Sequence, residues 1–128
     1  MDRYLTLVCK TEIASAHYLT KVPEGHKCGG GVGGLNPHGH LWKIEVRLDC
    51  LVQDLSEDGM IVDFGELKEC IRKLDHQLLN RFVENPTCEN LCIYLAKKIG
   101  ALLPKAVTLS SIKIEESPGN SVQLGVEF

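Results

Sequence analysis

His38-Gly39-His40 is the strongest chemical signal in this chain. Side chains on a strand repeat every two residues, so both imidazoles project to one side about 7 Å apart along the backbone, and the intervening glycine adds nothing to the opposite face. Two imidazoles so placed suit a divalent metal; the plainer reading is a histidine pair hydrogen-bonded at the end of a sheet. A third nitrogen ligand has to come from another strand, and His17, closing an earlier strand-like stretch, is the best-placed candidate. Three neutral histidines around Zn2+ leave a fourth position open, which is the pattern of catalytic rather than structural zinc. Glu116 shares the parity of Ile112 and Ile114, which puts its carboxylate on an apolar face. There it needs a cationic or multiply donating partner, such as the guanidine-like edge of a pterin or guanine, unless it closes its strand and reaches solvent. Cys28 follows His26 and Lys27, either of which lowers a thiol pKa and suits it to act as base or nucleophile. Asp75 and His76 are neighbours in a helical pattern, where they share no face; each can serve a proton relay with partners elsewhere or belong to a solvated helix surface.

These residues need elements to hold them. From His38 to Leu48, His38, His40, Trp42, Ile44, Val46 and Leu48 alternate with Gly39, Leu41, Lys43, Glu45 and Arg47, the signature of a strand with one buried face. Tyr4 to Ala16 is rich in strand formers, with a drift in alternation at Thr11 to Ala14 that predicts a bulge or bend. Asp58-Gly59 marks a tight turn, and Asp63 with Glu66 reads as a capping box opening a helix that should run to about Asn80. Within it Leu67, Ile71, Leu74 and Leu78 form one apolar stripe. Thr87 can cap a second helix with the stripe Leu91, Leu95, Ile99 and Leu102, ending near Pro104. Two further strands, Ser110 to Glu116 and Val122 to Phe128, flank the turn formers Pro118-Gly119-Asn120. The order β-β-α-α-β-β, with helices grouped in the middle, predicts an α+β fold: an antiparallel sheet covered on one face by two helices.

With 128 residues, 44% of them hydrophobic and 24% charged, the chain should form one domain spanning 1–128. A formal net charge of -3 gives no cationic field for nucleic acid or an anionic membrane. No apolar run approaches the roughly 20 residues of a bilayer span, and the first residues lack a signal-peptide core, so a cytoplasmic location is expected. The six cysteines therefore read as reduced thiols, with Cys88 and Cys92 one helical turn apart as buried structural side chains. Gly29 to Gly34 contains a G-x-G-x-x-G pattern, but it leads into a strand rather than a helix, which excludes a dinucleotide fingerprint.

In order along the chain, Ser15-Ala16-His17, Pro23 to Gly29, His38-Gly39-His40, Val62-Asp63-Phe64, Leu74-Asp75-His76, Leu79-Asn80, Asn85-Pro86-Thr87 and Glu89-Asn90 resemble the 6-pyruvoyl-tetrahydropterin synthase / 6-carboxy-tetrahydropterin synthase family. The resemblance implies a tunnelling fold, in which the sheets of several subunits join into a barrel, commonly a homohexamer built as a dimer of trimers with sites between subunits. It implies a pterin triphosphate substrate, 7,8-dihydroneopterin triphosphate, with Zn2+ on His17, His38 and His40 and the pterin ring held by Glu116 and, nearby, Thr87. Cys28 would abstract protons, and Asp75 with His76 would exchange them. Pro23 to Gly29 looks most like the bacterial enzymes of queuosine biosynthesis, which release triphosphate and acetaldehyde and leave 6-carboxy-tetrahydropterin. Formation of the 6-pyruvoyl product, folate-branch cleavage to 6-hydroxymethyl-dihydropterin using Glu24, and a non-catalytic pterin- or zinc-binding paralogue are the alternatives. One departure bears on all of them: relatives usually read C-x3-HGH or C-x5-HGH, whereas nine residues, Gly29 to Pro37, separate Cys28 from His38 here. Such a glycine-rich loop either folds outward and leaves Cys28 in place or carries the thiol away.

Overall fold

A computed structural model describes residues 2–23, 25–26 and 36–125. Cys28, Glu24 and the glycine-rich stretch Gly29 to Gly34 lie outside the described residues, as does the end of the last strand beyond Gly125.

Two long strands, β1 (Tyr4–His17) and β2 (His38–Leu51), pair antiparallel over their whole length. Then follow helix α1 (Phe64–Arg72), helix α2 (Cys88–Gly100), and the hairpin β3 (Val107–Ser117) and β4 (Asn120–Gly125). The four strands form one antiparallel sheet in the order β1-β2-β3-β4. Alternation explains which face is covered. Leu7, Cys9 and Ile13 of β1, Trp42, Ile44, Val46 and Leu48 of β2, and Ile112 and Ile114 of β3 are buried together with Leu67 and Ile71 of α1 and Leu91, Leu95 and Ile99 of α2. The opposite face carries Lys10, Glu12, Lys43, Glu45, Lys113 and Glu115, in which β-pairing sets Lys10 against Glu45 and Glu12 against Lys43. The α+β architecture with two helices on one face of an antiparallel sheet is therefore the one the element order predicted.

Four details depart from the sequence expectations. The bulge expected at Thr11 to Ala14 is absent, and β1 keeps register with β2 from Tyr4 to His17. The misleading residues are Thr11 and Ser15, polar but on the buried face, where the Ser15 hydroxyl donates to the carbonyl of Leu74. Helix α1 stops at Arg72 instead of reaching Asn80. The following segment turns through His76, whose φ is +56°, and runs beside β1: His76 N donates to Ala14 O at 2.8 Å and Ala16 N donates to Gln77 O at 3.0 Å. The open edge of β1 thus gains partners that a longer helix would have left unmade. Leu74 still reaches the core, while Leu78 is only half-buried and Leu79 takes the fully buried place. Beyond α2, Leu102 is 49% exposed and Leu103 packs on the core in its stead.

Caps and turns otherwise follow the residues. The Asp63 carboxylate accepts from Gly65 N, and the Thr87 hydroxyl accepts from Asn90 N, capping both helices. Gly119, at φ +83°, makes the β3–β4 turn that Pro118-Gly119-Asn120 foretold.

Candidate functional site

The antiparallel register places His17 directly opposite His38, with His40 two residues further along β2 opposite Ser15. Directly opposed side chains on one face lie about 5 Å apart at Cβ, which a single ion can bridge. Ring centroids are 4.5 Å apart for His17 and His38, 5.1 Å for His17 and His40, and 4.9 Å for His38 and His40. Glu116 joins them, and one potential ligand atom from each of the four residues lies within 4.8 Å of the others.

The position of Glu116 has a cause that parity alone does not contain. β3 and β4 pair through Glu115 with Ser121 and then Ser117 with Asn120, so Glu116 is the extra residue of a bulge. Bulges re-aim a side chain, and here Oε1 of Glu116 comes within 3.1 Å of Nε2 of His40, in an alignment too poor for a hydrogen bond. The Glu116 side chain is 28% exposed, between the buried and the solvent-facing alternatives read from the sequence. On its outer side lies a cavity of about 270 Å³ lined by Cys88, Glu89, Glu116, Asn120 and Ser121 among others.

Hydrogen bonding fixes which nitrogen His17 and His38 present. Nδ1 of His17 meets the carbonyl oxygen of Pro86 at 2.7 Å, and Nδ1 of His38 meets that of Asn36 at 3.2 Å. A carbonyl only accepts, so both Nδ1 atoms carry hydrogen and both Nε2 lone pairs are left for another partner. Nε2 of His17 and Nε2 of His40 are buried with no hydrogen-bond partner. Buried polar atoms are normally satisfied, and two unpartnered imidazole nitrogens converging beside a carboxylate are what a cation site presents. The donor set, three imidazoles and a carboxylate, fits a first-row divalent ion such as Zn2+. Burial is the main cause that holds both His17 and His40 below the usual histidine pKa, which keeps them neutral, as ligands must be. Trp42 closes the floor: fully buried, it stands edge-to-face against His17 and His40 at 4.9 and 5.2 Å, and its Nε1 donates to Ser15 O at 3.0 Å.

Asp75 and His76 occupy the turn after α1 rather than the helix itself, and there they do face each other, with His76 Nδ1 at 3.0 Å from Asp75 Oδ2. Asp75 Oδ1 accepts from Ala14 N at 2.8 Å, the bond that chiefly holds its carboxyl below the usual carboxylate range. The imidazole of His76 is 82% exposed, and among the described residues no hydrogen bond or ion pair joins this pair to the three histidines. Thr87 caps α2 and adjoins Pro86, the carbonyl partner of His17. Cys88 and Cys92 are buried structural thiols, pushed up by burial to about 12 and about 11 respectively, and the described cysteines are all free. Sequence reasoning marked Asn80, Asn85 and Asn90 only as parts of family-like motifs and missed their role, which is to tie the chain around His17 and Pro86 through their amides.

The sequence profile of the 6-pyruvoyl tetrahydropterin synthase family matches residues 6–127, so the chain belongs to that family. Among its relatives, a protein of Archaeoglobus fulgidus provisionally named a 6-carboxy-5,6,7,8-tetrahydropterin synthase is 31% identical over 121 residues, covering 91% of this chain and 92% of its own. A dihydroneopterin monophosphate aldolase of Pyrococcus furiosus is 34% identical over 95 residues, covering 71% and 76%. The solved 6-pyruvoyl tetrahydropterin synthase of Caenorhabditis elegans superposes with a TM-score of 0.74 at 26% identity, over 98% of this chain and 97% of that one. The chain is accordingly an enzyme-family member with a tetrahydropterin synthase fold. No helix among the described residues is long and apolar enough to cross a membrane.

Proposed function

We propose that this chain is a Zn2+-dependent lyase that converts 7,8-dihydroneopterin triphosphate to 6-carboxy-5,6,7,8-tetrahydropterin with loss of triphosphate and acetaldehyde, as in queuosine biosynthesis. The observation that carries the reading is the pair of orphaned, buried Nε2 atoms of His17 and His40 beside Glu116. His17, His38 and His40 would hold the ion, which when bound supplies Lewis acidity toward a substrate oxygen. Glu116 orients the substrate: its carboxylate borders the cavity at Ser121 and Asn120 and can accept two hydrogen bonds from the amino-pyrimidine edge of a pterin. Thr87 adjoins Cys88, which lines that cavity, and is assigned to the pterin pocket on the family resemblance. Cys28 serves as the proton-abstracting base, and Asp75 orients His76, as the 3.0 Å contact allows, to exchange protons with the reacting group. An imidazole so exposed leaves room for a site completed across a subunit boundary; a homohexamer and a cytoplasmic location belong to the same proposal.

A second reading is favoured by one comparison, the aldolase of Pyrococcus furiosus. In that reading the same metal and pterin pocket cleave the side chain to leave 6-hydroxymethyl-dihydropterin, with Glu24 in place of Cys28 as the base. The nine-residue spacer before His38 is where the two reactions would diverge. Incubating the zinc-loaded protein with 7,8-dihydroneopterin triphosphate and identifying the pterin and any aldehyde by mass spectrometry separates them. A carboxypterin with acetaldehyde supports the first reading and a hydroxymethylpterin the second. A pyruvoyl product refutes both, and intact substrate favours a binding paralogue or a different pterin, such as the monophosphate.

A further inference from the structure

We infer that Asn80 is a positioning residue for the metal ligand His17, acting with Asn85 and Asn90 through the carbonyl of Pro86; this rests on the metal-site reading above. His17 is the last residue of β1, and the continuous ladder with β2 ends there. Asn80 holds the chain that follows. Its Oδ1 accepts from Tyr18 N at 3.0 Å and its Nδ2 donates to Tyr18 O at 2.9 Å, so one side chain satisfies both backbone groups of the residue next to the ligand. The same Nδ2 also reaches the carbonyl of Glu84 at 3.3 Å, two residues before Pro86. A single amide thus grips the backbone on the ligand's side and on the side of its hydrogen-bond acceptor.

Two further asparagines repeat the grip. Asn85 Oδ1 accepts from Thr20 N at 3.0 Å, while Asn90, in the first turn of α2, donates from Nδ2 to Asn85 O at 2.8 Å. Pro86 therefore lies between residues bound to the chain after His17 and residues bound to helix α2. The consequence is a fixed 2.7 Å contact from His17 Nδ1 to Pro86 O, which selects the tautomer whose Nε2 lone pair faces His38 and His40. Pro86 has no N–H of its own to compete in this turn, so only its carbonyl takes part. Outer contacts of this kind orient a ligand and are worth about 10–100-fold in metal affinity.

The test uses Asn80→Asp, which keeps the acceptor for Tyr18 N and removes both donated bonds, with Asn80→Ala as the stronger variant. Co2+ affinity is measured by visible absorption, Zn2+ affinity by chelator competition, and the His17 tautomer by 15N NMR of the metal-free protein at about pH 8, where neutral imidazole dominates. The expected result is an affinity about 10–100-fold lower for both ions. A mixed His17 tautomer, with the folded fraction of the metal-free protein unchanged, should accompany it. Wild-type affinity in Asn80→Asp together with a single unchanged His17 tautomer overturns the role of Asn80. A fall that merely tracks the loss of folded protein overturns it as well, because it marks a purely structural side chain. Failure of the wild type itself to bind Co2+ or Zn2+ refutes the metal-site reading, and with it this inference.

Discussion

Replacing Trp42 by Phe tests whether the core and the site are one construction. Trp42 is fully buried, its Nε1 donates to Ser15 O at 3.0 Å, and its ring edges stand against His17 and His40. The substitution removes one hydrogen bond, a net loss of about 0.5–1.5 kcal/mol. It also removes the outer part of a packed ring, which at roughly a third to a half of the usual cost of truncating an aromatic residue to Ala adds about 1–2 kcal/mol. The sum, about 1.5–3.5 kcal/mol, corresponds to a fall in Tm of about 5–14 °C for a chain of this size. Urea unfolding of the metal-free variant measures the first quantity, and Zn2+ affinity of the folded variant measures whether the two imidazoles have lost their backing. The reasoning is refuted by a destabilisation below about 1 kcal/mol, since two independent losses were assigned to this one side chain. It is refuted equally by a full loss of stability with metal affinity intact, which would mean that Trp42 supports the core without supporting the histidines.

Three other outcomes follow from the same geometry. His76→Asn retains a residue that tolerates the φ of +56° and removes the imidazole, so kcat should fall about 10²–10⁴-fold while Tm and bound zinc stay the same; an unchanged kcat would remove His76 from the chemistry. Cys88 and Cys92, with thiols raised to about 12 and about 11 by burial, should resist a thiol reagent at about pH 8 in the native protein and react on unfolding; rapid native labelling of either would contradict their placement. His17 and His40 have folded pKa values below the ordinary 6.5, so the unfolded chain binds more protons in the interval between the two values. Stability of the metal-free protein should therefore be fully present above that interval and decline as pH falls through 6.5 toward the folded values. A Tm that stays flat from about pH 8 to about pH 5 would oppose this sign.

The histidine triad was legible because two-residue periodicity is a local rule, and His38 and His40 obey it without regard to the rest of the fold. That His17 faces His38 required only that β1 and β2 pair antiparallel, although the register itself is set by pairing along both strands. Other features depend on distant partners and leave little trace in the sequence. Helix α1 stops at Arg72 because the segment from Leu74 to Leu78 is drawn to the edge of β1, a competition that helical periodicity does not encode. Thr11 and Ser15 disguised the inward face of β1, since polar residues there break the apolar alternation while the backbone remains regular. Parity placed Glu116 on the correct side, yet the bulge that turns it toward His40 is a property of the β3–β4 pairing. Asn80 stood out in the sequence as a motif residue, but its role did not, because its partners are backbone groups, whose chemistry is the same at every position.

Metal content measured on the purified, zinc-equilibrated wild type beside His17→Ala and His40→Ala is the most direct test of the site. The account predicts one tightly held ion per chain in the wild type and its loss in both variants, with folded protein in each case. Full zinc stoichiometry in either variant, or none in the wild type, would contradict the assignment of His17, His38 and His40 as the metal-binding core.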